Sequence, residues 1–275
     1  MYRKAPLLEA CLAILQALKP NSRISAVYPF TMLPKTELKF IKSLKDKKNR
    51  YAERLFVTEG KKLTGDLIAA GVLPNKLYVV PGLELENEFA SLPIAIEEVS
   101  NSEMEQMSNL QSARDVLAVF PFLEEKTYQV PGSGLVLALD TIQDPGNFGT
   151  ILRLADWYGV KAVVCSLETA DLYNPKVIQA TMGSLARVQV NYVDLELFFD
   201  ENRLPVFGAV MEGVNPSGFK WNGPAILLIG NEGKGIRPTL DSKLTRRLSI
   251  PRFGYAESLN AAVATGIVLD NLLNP

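Results

Sequence analysis

The second half of the chain carries nearly all-apolar runs of strand length at Leu135 to Leu139, Ala162 to Cys165, Val206 to Val210 and Ala225 to Ile229. A strand with one wet face alternates apolar and polar residues. These runs do not, so both of their faces must be covered. Segments of helical character lie between them, notably Ile151 to Tyr158 and Val177 to Leu185. Strands joined by crossover helices predict a doubly covered parallel α/β sheet. Ligands of such sheets gather beyond the carboxyl ends of the strands, so the segments that follow the runs are where chemistry is sought.

The first half reads as a smaller α/β domain. Leu38, Ile41 and Leu44 recur at helical spacing between Thr36 and Asp46, and Leu55 to Val57 is a short strand. Lys61 to Ala70 is a helix that Gly71 can terminate, and Leu77 to Val80 and Ile94 to Val99 are strands. Ser102-x-x-Glu105 reads as a capping box opening a further helix, and Val116 to Phe120 is the last strand. Residues 124–133 contain Pro131-Gly132 and no periodicity, as a linker would. Arg3 and Lys4 before the run Pro6 to Leu18 superficially resemble a secretory signal, but Glu9 and Gln16 interrupt it and no small-residue cleavage site follows. The expected organisation is an extension outside the fold at 1–32, a first domain at 33–123, a linker at 124–133 and a second domain at 134–275.

Histidine is absent, which excludes Ser-His-Asp and Cys-His catalysis and any His-ligated metal. Cys11 and Cys165 stand far apart in apolar runs and form neither a disulfide framework nor a zinc pattern, as suits a reducing compartment such as the cytoplasm. The net charge of −1 gives no global basic field. Local charge differs, because lysines and arginines crowd between Lys35 and Lys62 while the acidic residues Glu84 to Glu105 come later. That asymmetry fits a face that contacts phosphates, and a solvated lysine-rich helix explains it equally well.

Three segments couple a backbone-shaping Gly or Pro to polar residues that a turn alone does not require. The first is Asp144-Pro145-Gly146-Asn147-Phe148-Gly149 with Arg153; there Asn147 can cap the next helix, and Arg153 can face the same end of the sheet or solvent. The second, Gly230-Asn231-Glu232-Gly233-Lys234-Gly235, has neither phosphate-loop nor dinucleotide-fold spacing, and a plain turn leaves Glu232 unexplained. The third runs from Ile250-Pro251 through Glu257-Ser258-Leu259-Asn260 into small residues, with Ser258 as a plausible helix cap and Asn260 a weak helix former inside the first turn.

In this order, after apolar strands, the segments resemble the three signature motifs of the SpoU (TrmH) family of SPOUT-class RNA ribose 2′-O-methyltransferases. Asn174-Pro175-Lys176 and Ala180-Thr181-Met182-Gly183-Ser184 look like the family's middle region, and the resemblance covers Leu135 to Leu273. The basic segment from Lys35 through Glu59-Gly60 resembles the start of the family's L30e-like RNA-binding domain. The resemblance implies S-adenosylmethionine as methyl donor, a deep trefoil knot, a homodimer, and RNA as substrate with rRNA favoured over tRNA. It implies a catalytic set of Asn147, Arg153, Glu232, Ser258 and Asn260, and a cofactor pocket at Gly230, Ile250 and Leu259, with no metal and no membrane. A guanidinium pKa above about 12 argues against Arg153 as a base and for a phosphate clamp. Glu232 is expected to organise neighbouring amides or the Arg153 side chain. The rival reading is a non-catalytic RNA-binding protein on the same fold.

Overall fold

The computed structural model describes residues 32–83, 93–124, 134–160 and 162–274. The extension expected at 1–32 and the linker expected at 124–133 thus lie almost wholly outside the described residues. Among the described residues two compact units emerge: one takes those up to Ser43 and those within Val57–Pro121, the other those within Leu44–Phe56 and from Phe122 onward.

In the first half, α1 (Lys35–Ser43), α2 (Lys47–Glu53), β1 (Leu55–Glu59), α3 (Lys61–Ala69), β2 (Lys76–Val79), β3 (Ala95–Glu98), α4 (Asn101–Met107) and β4 (Val116–Pro121) follow in order. The helix expected over 36–46 is α1, which stops three residues short at Ser43, and the unanticipated α2 follows it. Asp46 takes an extended backbone and starts α2, which ends on a left-handed Arg54. The strands form a sheet ordered β1-β4-β2-β3, with β2 parallel to β3 and antiparallel to β4. The capping box lies two residues earlier than the sequence reading placed it. Ser100 accepts from the Glu103 N–H, and the Glu103 carboxylate returns to Ser100. Glu103 is buried and also accepts the Leu33 N–H at 2.7 Å, a contact that exposed Glu105 does not make.

The second half continues with β5 (Leu135–Leu139), α5 (Pro145–Trp157), β6 (Ala162–Cys165), α6 (Pro175–Thr181), a 3-10 turn (Ser184–Ala186), β7 (Gln189–Tyr192), α7 (Leu195–Asn202), β8 (Val206–Val214), β9 (Ala225–Ile229), α8 (Pro238–Asp241), β10 (Arg246–Leu248) and α9 (Ala261–Leu273). Every pairing in the sheet, ordered β10-β8-β9-β5-β6-β7, is parallel. The parallel α/β class read from the apolar runs is what the chain adopts. β5 and β9 are buried along their whole length and pair from Leu135↔Ala225 to Leu139↔Ile229, so they form the centre. The edge strands β7 and β10 were not anticipated, because a half-buried edge needs no apolar run. Their sequences, Gln-Val-Asn-Tyr and Arg-Arg-Leu, carry little periodic signal. The register between β8 and β10 breaks after Arg247, where Leu248 pairs with Val214. Residues 209–213 therefore leave that pairing, and Met211 stands 56% exposed.

Candidate functional site

Helix α5 begins where the turn after β5 ends. Asp144, not Asn147, is its N-cap: the Asp144 carboxylate accepts the Asn147 N–H at 2.7 Å, and Pro145 occupies the first helical position, where it loses no hydrogen bond. Asn147 sits in the first turn with its side chain free of capping duty. Gly149 has a packing reason, since a Cβ there would lie 2.5 Å from Ala180 Cβ and 2.7 Å from the Val177 carbonyl of α6. The expected middle region thus supplies the surface against which the first motif packs.

The second motif is a closed turn. Asn231 and Gly235 exchange main-chain hydrogen bonds of 3.0 and 2.9 Å. Asn231 Oδ1 accepts the Gly233 and Lys234 N–H groups, and its Nδ2 donates to the Thr141 carbonyl at 2.7 Å. The amides are organised by Asn231 and not by Glu232, contrary to expectation, because the shorter side chain reaches back over its own turn. Gly230 cannot carry a side chain, as its Cβ would lie 2.4 Å from the Gly235 carbonyl carbon.

The third motif leads into α9, whose N-cap is Asn260 and not Ser258. Asn260 Oδ1 accepts the Ala262 and Val263 N–H groups at 3.0 and 3.2 Å. Ser258 is exposed two residues upstream, and no hydrogen bond joins it to a described residue.

A chain of side-chain hydrogen bonds joins all three motifs. Asn260 Nδ2 donates to Asn147 Oδ1 at 2.8 Å, and Asn147 Nδ2 donates to Glu232 Oε1 at 2.9 Å. The amide of Asn147 is thereby fixed in one orientation, with one Nδ2 proton and one lone pair still available. Arg153 does not join this chain. It is exposed on α5 and makes no hydrogen bond or ion pair to a described residue, so the expected contact with Glu232 is absent among the described residues. Asn147, Thr150, Leu154, Asn260, Val263 and Gly266 line a groove of about 400 Å³ between α5 and α9.

The three expected cofactor residues all lie beyond the carboxyl ends of parallel strands. Gly230 follows β9, while Ile250 and Leu259 bound the segment after β10. No backbone–backbone hydrogen bond engages residues 250–259 with other described residues. Leu259 is 46% exposed and Ile250 half-buried. Such a strip offers main-chain donors and acceptors beside apolar side chains, the combination that a planar heteroaromatic ring with polar edges requires.

Sequence reasoning missed Asp140, Thr141 and Arg237. Asp140 is 1% exposed at the end of β5, and its carboxylate accepts the Arg237 N–H at 2.8 Å and Arg237 Nε at 2.7 Å. Arg237 Nη2 reaches Thr141 Oγ1 at 3.0 Å and Glu168 at 3.1 Å. Hydrogen bonds from a backbone N–H and from Arg237 hold the Glu168 carboxyl below its usual range. The available signal was an aspartate closing an otherwise apolar strand. In the basic segment Arg50 is also not a surface charge, because it is 2% exposed and paired with Asp171 at 2.5 Å. Lys39, Lys45, Lys47, Lys48 and Lys62 are exposed. No cluster able to hold a metal ion, and no helix long and apolar enough to cross a membrane, occurs among the described residues.

Comparison with known proteins bears on both halves of the chain. Residues 134–270 match the model of the SpoU rRNA Methylase family, and residues 35–118 match an MRM3-like substrate binding domain. The 23S rRNA (guanosine(2553)-2′-O)-methyltransferase RlmP of Bacillus subtilis is 29% identical over 235 residues, which are 84% of this chain and 93% of that protein. A solved TrmH-family structure from Porphyromonas gingivalis is 34% identical with a TM-score of 0.76, covering 89% of this chain and 99% of the other. The AdoMet-bound rRNA methyltransferase from Sinorhizobium meliloti is 29% identical with a TM-score of 0.78, covering 88% and 95%.

Proposed function

The chain belongs to the SpoU (TrmH) family of RNA 2′-O-methyltransferases, whose methyl donor is S-adenosylmethionine, and on that premise we propose that it methylates a ribose 2′-hydroxyl of ribosomal RNA. The observation that carries this reading is the Asn260–Asn147–Glu232 chain. It draws a polar residue from each of three separate segments into one constellation that the fold does not need for packing. A binding module on the same fold would have no use for that arrangement. The similarity to RlmP favours rRNA over tRNA.

The bound donor supplies an electrophilic methyl group on sulfur. The strip at Gly230, Ile250 and Leu259 fits its adenosyl portion, because residues 250–259 keep their main-chain groups out of backbone–backbone hydrogen bonds beside half-buried Ile250 and exposed Leu259. Asn147, held from both sides, directs its remaining Nδ2 proton or lone pair toward the ribose hydroxyl. Orientation of this kind is the chief contribution to a displacement between two bound partners. Arg153 is free to grip a phosphate of the RNA through its planar fork, while the hydroxyl proton leaves to that phosphate or to water. Ser258 lies in the same exposed segment and serves the substrate side. The exposed lysines between Lys35 and Lys62 give the RNA a landing surface. A second copy of the chain fits the groove between α5 and α9, where Val263 is 52% exposed, and the last residue of α5, Trp157, is 82% exposed. With the family come a trefoil-knotted methyltransferase domain and a cytoplasmic setting.

Mapping 2′-O-methyl groups in total RNA with and without the gene tests the proposal. Loss of a single rRNA mark is expected, whereas an unchanged rRNA profile with a lost tRNA mark would redirect the substrate. Calorimetric titration with S-adenosylmethionine separates enzyme from binding module, since absence of binding favours the latter. Arg153→Lys is expected to slow turnover by roughly 10-fold or more, because an ammonium cannot make a bidentate contact.

A further inference from the structure

Glu232 can meet Asn147 only if the turn that carries it is held at a fixed height above the sheet. That turn has two feet. At the first, Asn231 Nδ2 donates to the Thr141 carbonyl at 2.7 Å. At the second, the Arg237 main-chain N–H and Nε are both taken by the buried Asp140 carboxylate. Both feet therefore stand on consecutive residues at the end of β5, the strand that leads into the first motif.

Thr141 is itself held unusually. Its φ of 59° lies in the left-handed region, which a β-branched residue rarely adopts and which costs of order 1–3 kcal/mol unless neighbours impose it. The neighbours do so. Its N–H donates to Ser166 Oγ at 2.9 Å, its hydroxyl to Asp140 Oδ1 at 3.1 Å, and Arg237 Nη2 binds that hydroxyl at 3.0 Å. The left-handed conformation turns the Thr141 carbonyl to where Asn231 binds it. Nothing in a plain strand-to-helix turn calls for so many bonds on one residue pair.

We infer that Asp140, Thr141, Asn231 and Arg237 form a clamp that positions Glu232 against Asn147, with Arg237 as its principal positioning residue. None of the four touches substrate in this reading, which rests on the Asn147–Glu232–Asn260 site proposed above. The clamp acts through Glu232, and that gives it a signature which a merely stabilising ion pair lacks. Removing the clamp matters only while Glu232 is there to be misplaced.

The test is a double-mutant cycle on single-turnover methyl transfer to total rRNA from cells lacking the gene, with labelled S-adenosylmethionine. Arg237→Ala keeps the main-chain N–H to Asp140 and is expected to slow transfer about 10-fold, and Glu232→Ala, which removes the acceptor for Asn147, at least as much. The Arg237→Ala/Glu232→Ala protein is expected to be no more than about 2-fold slower than Glu232→Ala alone. Millimolar guanidinium should restore part of the rate to Arg237→Ala and none to Glu232→Ala. If the two losses multiply, or if Arg237→Ala transfers at the normal rate, the clamp is overturned. A fully active Glu232→Ala protein would instead overturn the site reading, and the clamp with it. Should Arg237→Ala fail to fold, Asn231→Asp replaces it in the same cycle. That variant still accepts the Gly233 and Lys234 N–H groups but cannot donate to Thr141, so it loosens one foot without leaving a buried charge unpaired.

Discussion

Helices α4 and α9 both begin with a side chain that satisfies free N–H groups, and they do so to different ends. At α4, Ser100 and Glu103 bond to each other and Glu103 also accepts the Leu33 N–H, so the buried carboxylate has its acceptors occupied. At α9, Asn260 uses only Oδ1 for capping and leaves Nδ2 to hold Asn147. The first cap is closed and the second is open. An asparagine can serve both tasks because its amide carries an acceptor and two donors, whereas an ionised carboxylate only accepts. A helix start becomes part of a reactive site when its cap has a donor left over.

The strongest way to break this comparison is Asn260→Asp. A carboxylate caps as well as an amide, so the melting temperature should stay within a few degrees, yet it cannot donate to Asn147. Methyl transfer is expected to fall about 100-fold, equivalent to roughly 2.7 kcal/mol of transition-state stabilisation. Asn260→Ala should lose the same activity and about 1 kcal/mol of stability as well. Retained activity in Asn260→Asp, read from the transfer rate, would mean that the open cap has no chemical role.

The closed cap should behave in the opposite way. Glu103→Gln puts an NH₂ where the Ser100 N–H and hydroxyl need an acceptor, and it should cost about 1–3 kcal/mol in denaturant titration with transfer unaffected at low temperature. Burial alone would raise the Glu103 carboxyl. The hydrogen bonds from Ser100 and Leu33 outweigh that and hold it below its ordinary 4.5. A lowered folded-state pKa means stability that is fully present above the unfolded value and lost as pH falls through the folded one. Wild-type stability should thus decline below about pH 4.5, and that decline should be shallower in Glu103→Gln.

Asp144→Ala gives the smallest effect and sharpens the contrast within the site itself. Asp144 caps α5 from an exposed position and touches neither Asn260 nor Glu232. Its loss should lower stability by about 1 kcal/mol and leave transfer within a few-fold of normal. A large activity loss would show that capping α5 is what orients Asn147.

Much of the fold was legible because its central strands need apolar side chains on both faces, so Leu135 to Leu139 and Ala225 to Ile229 stood out without any partner in view. Edge strands β7 and β10 did not, since half their surface is wet. Helix starts were harder, because several nearby side chains can cap equally well by sequence. Ser100 and Ser102, Asp144 and Asn147, and Ser258 and Asn260 are each chemically plausible. Tertiary contacts make the choice: the Leu33 N–H secures Glu103 at α4, Asn260 caps α9 while holding Asn147, and at α5 Asp144 caps while Asn147 is left to its distant partners.

The amino-acid sequence by itself determined the parallel sheet, the three polar segments beyond its strands and the exclusion of histidine chemistry. These are properties of composition, periodicity and local turn geometry, and they need no knowledge of neighbours. Only the tertiary structure decided that Asn260 meets Asn147, that Glu232 meets Asn147 in place of Arg153, and that Asp140 and Thr141 hold the turn between them. Those contacts join residues 85 or more positions apart. A hydrogen bond of that kind depends on where two backbones are brought together, and that is set by the packing of β5 against β9 and α5 against α6.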